Sequence, residues 1–312
     1  MSGAPAKSAA EPEPAPDAEA LSDNLRGAIW MIVSCIAASA MMVAIRLLAG
    51  ELDSRMITFL RSALGLGVAL IWLIDGSLFK IRITRPWLHV IRGLLMAAAT
   101  NLGFYAIAKL PMATANILFF LAPVFATALA GPILKETVGP RRWGAVLASL
   151  LGAVIIRRPG VGSFDPAMLA AVGSAACFSI SLLITRILGA DNSPRSVMLT
   201  SLVVASIATF PVALPVWDLP DALSGWALVL AVVVASSLRQ YSDIRAYAIG
   251  EAGFLAPFAY LRLLFVGVAG WWLFRDVVDA WTVAGGLVII GSTLYIAQRE
   301  SRLGKRIAGS AA

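Results

Sequence analysis

One histidine, His89, and two cysteines, Cys35 and Cys177, are all the imidazole and thiol groups in 312 residues. That is too few for a zinc site and no basis for a disulfide framework. Both thiols lie inside apolar runs and read as buried packing groups, and His89 opens another such run. Charge is scarce too: 14% of residues are charged and 59% are hydrophobic, whereas soluble domains carry about 25% and 45–50%. No GxxxxGK(S/T) phosphate loop is present, so ATP drive would need another subunit. No HExxH or GxSxG is present either, so a nucleophile lacks its usual base. The chain is therefore not read as an enzyme, and no cofactor or metal is expected. The net charge of +7 forms no basic stripe on a soluble face. Its Lys and Arg residues fall mainly between apolar runs, which is a topology signal rather than a nucleic-acid surface.

What is there is a succession of apolar segments, each near the ~20 residues that span a bilayer. They cover approximately 27–48, 56–75, 86–107, 111–132, 140–157, 166–188, 196–217, 223–247, 252–274 and 279–297. Helices are expected throughout, because only helices or closed barrels satisfy the backbone in lipid and strict two-residue alternation is absent. Pro86, Pro111, Pro140, Pro166 and Pro194 fall at segment starts, where the missing N–H costs nothing. Residues 1–26, rich in Ala, Pro and Glu at their start, read as a disordered cytoplasmic tail, and 299–312 as a basic cytoplasmic tail. With both termini inside, the inner connections hold Lys80, Arg82, Arg85, Lys135, Arg141, Arg142, Arg239, Arg245 and the C-terminal cluster, as the positive-inside bias requires. Arg157 and Arg158 on the outer side run against it.

The two halves echo one another. At an offset of 140, Arg46 falls on Arg186, Arg55 on Arg195 and Glu136 on Asp276, while YAIAKLPMATA (105–115) matches YAIGEAGFLAP (247–257) at an offset of 142. Each half holds five spans, an odd number, so the second must be inverted relative to the first. The expected architecture is an all-α integral membrane protein of ten transmembrane helices in two inverted repeats, 27–158 and 159–298. Secondary transporters are often built so, with the site near midplane between repeats.

The stretch YAIAKLPMATANILFFLAPVFATALAGPILKE (105–136) resembles the helix 3 to helix 5 signature of the drug/metabolite transporter superfamily, EamA type. Residues 256–300 are similar to the matching end of the second repeat, and the likeness covers about 27–297. The resemblance implies ten helices, two repeats and alternating access for a small metabolite. Arg262 and the pair Arg239/Asp243 make this chain more charged than a generic member, and Asp276 stands where Glu is usual. Within the family the layout is similar to riboflavin and S-adenosylmethionine uptake carriers and to exporters of amino-acid metabolites alike.

The polar residues of the spans are the candidate site, because a charge at bilayer depth costs roughly 2.5–3.5 kcal/mol on the lenient insertion scale. In the eighth span Ser236, Gln240, Asp243 and Tyr247 share one helical face, and Arg239 stands one turn before Asp243. In the ninth, Glu251, Phe258 and Arg262 share a face, with Tyr260 beside them. The first half offers Arg92, Asn101, Tyr105 and Asn116; Arg61 reads as a snorkelling side chain near a span end. Helix anchoring and interhelical hydrogen bonds are the plainer roles for all of these. Lys109 and Glu251 occupy equivalent turns on opposite sides and are the candidate gates. Pro123 and Pro257 interrupt the fourth and ninth spans. Gly144, Ala148 and Gly152 make a small-residue ridge for close packing, within a monomer or across a homodimer.

The composition and the resemblance lead to a secondary active transporter of a small polar, anionic or zwitterionic metabolite in the inner membrane, with its site between spans 3, 4, 8 and 9. Asp243 or Glu251 would serve proton coupling. The competing readings are an accessory or structural membrane protein, whose polar faces would bind a partner, and an intramembrane enzyme with a Lys or carboxylate base.

Overall fold

The computed structural model describes residues 18–71, 83–134, 140–157, 165–189, 191–250 and 252–310, and these are helical apart from short connections. In chain order they form α1 (Ala18–Leu48), α2 (Ser54–Ile71), α3 (Pro86–Lys109), α4 (Met112–Phe119), α5 (Leu121–Leu134) and α6 (Pro140–Arg157). The second half supplies α7 (Pro166–Gly189), α8 (Pro194–Ala213), α9 (Leu223–Ile249), α10 (Ala252–Ala259), α11 (Leu261–Phe274) and α12 (Ala280–Ser310). Prolines open α3, α6, α7 and α8, as expected. α1 starts at Ala18, inside the segment read as a tail. Good helix formers and the Asp23–Arg26 pair, 3.5 Å apart one turn on, carry the helix back past the apolar run.

Among the described residues six stretches are long and apolar enough to cross a membrane: Asp23–Leu48, Pro86–Lys109, Met112–Ile133, Pro166–Gly189, Ser196–Val216 and Leu223–Ile249. Trp143–Ile156, Leu261–Phe274 and Ala280–Tyr295 are apolar but shorter. Trp87, Trp143, Trp217, Trp226, Trp271, Trp272 and Trp281 are all exposed, as are apolar residues along the same helices. An apolar exterior with indole rings is what lipid and its interfaces select.

Two expected spans are broken. The fourth is α4 and α5, which meet at Phe120; the ninth is α10 and α11, which meet at Tyr260. Pro123 has no N–H to return to the preceding turn, and Phe120 N–H instead bonds back to the carbonyls of Ile117 and Leu118. At the second break Leu263 N–H tightens onto the Tyr260 carbonyl at 2.9 Å. The two break residues stack face to face, with centroids 4.9 Å apart and planes 9° from parallel.

The halves interlock rather than sit side by side. α1 packs on α9 as α7 packs on α3, α1 meets α10 and α11 as α7 meets α4 and α5, and α2 meets α8 and α6 meets α12. The last crossing is backbone against backbone. A Cβ on Gly152 would lie 2.8 Å from the Gly285 carbonyl oxygen, and one on Gly285 2.4 Å from that of Gly152. Only glycine allows this approach. Gly144, on the same expected ridge, has nothing within 4 Å. The main core gathers Ile45, Leu48, Met56, Met112, Leu118 and Leu121 with Val229, Val232, Val266 and Ile289.

Candidate functional site

The paired breaks place polar side chains around a cavity of about 700 Å³. Its lining runs from Met42, Ile107 and Asn116 at the deep end, above the main core, to Met31, Ala130, Leu182 and Arg186. α1, α2, α3, α4, α5, α7 and α9 to α12 all contribute.

One wall is an ion network. Asp243 Oδ2 accepts from Arg239 Nη1 at 3.0 Å, and Asp243 Oδ1 accepts from the Ser34 hydroxyl of α1. Arg239 is within electrostatic reach of both Arg61 and Arg262. The Arg262 guanidinium sits 4.9 Å from the centre of the Phe120 ring. Phe120 also carries Tyr260, so guanidinium, ring and phenol meet where the two broken spans cross. Cys35 points its thiol at the Phe258 and Ala259 carbonyls, 3.5 and 3.7 Å away. Asn116 is 1% exposed, and among the described residues its Nδ2 has no partner; nor has the Nε of Arg61, Arg239 or Arg262. Among the described lining residues four guanidiniums face one carboxylate.

Of the residues expected from the sequence, the lining brings together Arg262, Asp243, Arg239, Tyr247, Tyr260 and Asn116. Others lie elsewhere. Arg92 ties α3 to α7 and α8 through Thr185 Oγ1 at 2.7 Å, the Val197 carbonyl at 3.0 Å and the Ser201 hydroxyl. Asn101 and Tyr105 border a separate depression with Asp53, Arg55 and Val212. Gln240 is not part of the lining, and Lys109 is exposed at the end of α3. Glu251 lies outside the described residues. Arg61 is where the sequence reading differs from the structure. A distance from the span end says nothing about which face a residue takes, and this one lines the cavity. Ser34, Cys35 and Arg186 were not singled out as cavity groups; only the repeat correspondence drew attention to Arg186.

Past the core, at the end away from Met31 and Arg186, a second ion pair joins the halves. Asp276 takes Arg46 in a two-pronged grip, Oδ1 to Nη2 at 3.1 Å and Oδ2 to Nη1 at 3.3 Å. Oδ2 also accepts the Met112 N–H at 2.8 Å, at the N-terminus of α4, where backbone donors favour an anion. Arg46 donates to the Leu110 carbonyl as well and lies 5.1 Å from the Phe274 ring centre. The end of α11 sets the aspartate up. Arg275 adopts a left-handed conformation, φ 56°, and Asp276 N–H returns to the Gly270 carbonyl at 3.1 Å. Among the described residues no three His, Cys, Asp or Glu side chains gather as a metal site would.

Known proteins are similar to this chain in sequence or in fold. An S-adenosylmethionine uptake transporter of Rickettsia prowazekii is 28% identical over 91% of this chain and 96% of its own length. A riboflavin transporter of Vibrio cholerae is 28% identical over 90% and 96%, and a pseudopaline exporter of Pseudomonas aeruginosa is 26% identical over 88% and 96%. A solved structure described only as "Crystal structure of protein" superposes with a TM-score of 0.57 at 19% identity, over 87% of this chain and 98% of that one, and shares the fold. The sequence model of the EamA-like transporter family matches twice, at 25–158 and at 165–298, one match on each of the interlocked halves. The chain is a multi-pass membrane protein and belongs to the EamA-like transporter family.

Proposed function

We propose that the protein is a secondary active transporter that moves a small polar, anionic or zwitterionic metabolite across the inner membrane by alternating access. Ten spans in two inverted five-helix repeats complete the architecture when α2, α6, α12 and the joined α10–α11 are counted with the six longer stretches. The observation that carries the reading is the cavity at the two helix breaks, mostly apolar but set with charged side chains, with the Arg46–Asp276 pair bridging the halves beyond its deep end. A cavity open toward one side and closed toward the other is one of the two states alternating access needs. With both termini cytoplasmic, Met31 and Arg186 mark the cytoplasmic mouth and the Arg46–Asp276 pair closes the far side. Transport requires that pair to open while the mouth closes. Asp243, held between Arg239 and Ser34, is the described carboxylate placed for proton coupling.

The relatives' names make riboflavin, S-adenosylmethionine and pseudopaline the first solutes to try. Purified protein in liposomes is given each labelled solute, with and without a pH gradient, and the recovered solute is analysed. Saturable, protein-dependent uptake of unchanged solute is expected. Chemical conversion would make the protein an enzyme. Absence of uptake and of counterflow for every solute would remove the carrier reading in favour of an accessory role.

A further inference from the structure

Resting on that reading, we infer that the cavity is built for an organic anion carrying a flat aromatic ring. Charge is the first observation. Arg239 spends an Nη on Asp243, which leaves Arg61, Arg186 and Arg262 without a described salt-bridge partner in a lining drawn from apolar helices. Guanidiniums in excess of the one lining carboxylate, on helices read as membrane spans, favour a counter-ion, and a planar fork with an unpaired Nε–H is suited to carboxylate or phosphate oxygens.

The second observation is independent of charge. Asn116 is buried with its Nδ2 donors unmatched, so the deep end also calls for an acceptor oxygen. The third is shape and surface. Phe120 and Tyr260 stack flat with Arg262 over the Phe120 ring, and Phe119 and Phe178 also line the space. Flat π surfaces beside a guanidinium favour a flat unsaturated partner, since offset stacking and cation–π contact both need a ring. A solute of net positive charge gains from the rings but meets three surplus guanidiniums, those of Arg61, Arg186 and Arg262.

The test is binding in detergent, which does not depend on transport. The probes are 2-naphthoate, its neutral amide, its cationic aminomethyl analogue and the saturated decalin carboxylate. Flavin mononucleotide and riboflavin form a second pair that shares one ring system and differs in the phosphate. Thermal shift and calorimetry should rank the anionic aromatic member of each set at least about tenfold tighter than its counterparts. Arg262→Gln should remove the preference for the anion while keeping the weaker binding of the neutral ring. Phe120→Leu should do the reverse, favouring anions without regard to the ring. If Arg262→Gln does not fold, Arg61→Gln carries the same expectation. Equal affinity for charged and neutral members, tighter binding of the cation, or no binding by any probe overturns the inference. Liposome uptake of some other solute would leave the transporter reading standing in each of those cases. Binding as expected with no transport of any solute would remove the transporter reading and leave the site.

Discussion

Replacing Asp276 with asparagine keeps its shape and one carbonyl oxygen for the Met112 N–H, but removes the charge that Arg46 grips. The pair is neither a surface pair nor a fully buried one: the side chains are 20% exposed for Arg46 and 9% for Asp276. Exposed pairs are worth about 0–1 kcal/mol, and breaking a buried one by removing a partner costs about 3–5 kcal/mol. The two-pronged geometry and the added backbone donor put this pair near 2–3 kcal/mol. Because the contact joins the two halves, nearly all of that stabilises the state closed on this side. Losing it shifts the balance toward the opposite state by a factor of roughly 30 to 150. The reporter is Met42→Cys at the deep end of the cavity, in a background with Cys35 and Cys177 changed to serine. A membrane-impermeant maleimide is added from the sealed side. Labelling should speed up by about that factor in Asp276→Asn and in Arg46→Gln, and the double variant should add little to either. Unchanged labelling with an unchanged melting temperature would refute the idea that this pair holds the cavity shut.

Three further outcomes follow from the geometry. Gly152→Ala should lower the melting temperature by the equivalent of about 1–3 kcal/mol, the usual cost of overpacking, because its Cβ meets the Gly285 carbonyl oxygen of α12 at 2.8 Å, backbone that cannot swing aside as the equally close Ile289 side chain can; Gly144→Ala should be neutral. Arg92→Leu should destabilise by about 2 kcal/mol through the partners left on α7 and α8, yet leave probe affinity unchanged once folded, since Arg92 is not in the lining. Asp53, before α2, is held below its usual carboxylate range chiefly by the hydrogen bond from the Arg55 side chain. A depressed folded value means that its contribution is present above the unfolded pKa of about 3.9 and is lost as pH falls through the folded value. Asp53→Asn should flatten only that acid limb of a melting-temperature profile.

The all-helical, membrane-spanning character was legible because lipid imposes a length and forbids unsatisfied backbone. The contacts between spans were not, since hydropathy does not encode azimuth. Arg61 and Arg92 look alike in the sequence, each a lone guanidinium inside an apolar run, yet one faces the cavity and the other braces three helices. Prolines 123 and 257 announced interruptions, but the breaks fall at Phe120 and Tyr260, where two rings meet across the halves. Arg46 and Asp276 were both marked by the repeat, each against its counterpart in the other half. That they grip each other depends on how the halves interlock, which no single-chain pattern displays.

That interlock has a consequence for synthesis. Ser34 finds Asp243, Arg92 finds Thr185 and Ser201, and Arg46 finds Asp276. Every one of these early polar groups waits for a partner made in the second half of translation. Until α9 and α11 arrive, the first half sits in the bilayer as an incomplete product with unmatched charges, the kind of client that insertion chaperones hold and membrane proteases remove. The last helices to be made thus act as the inspection of the first, and a chain cut short between the halves should be destroyed rather than stored.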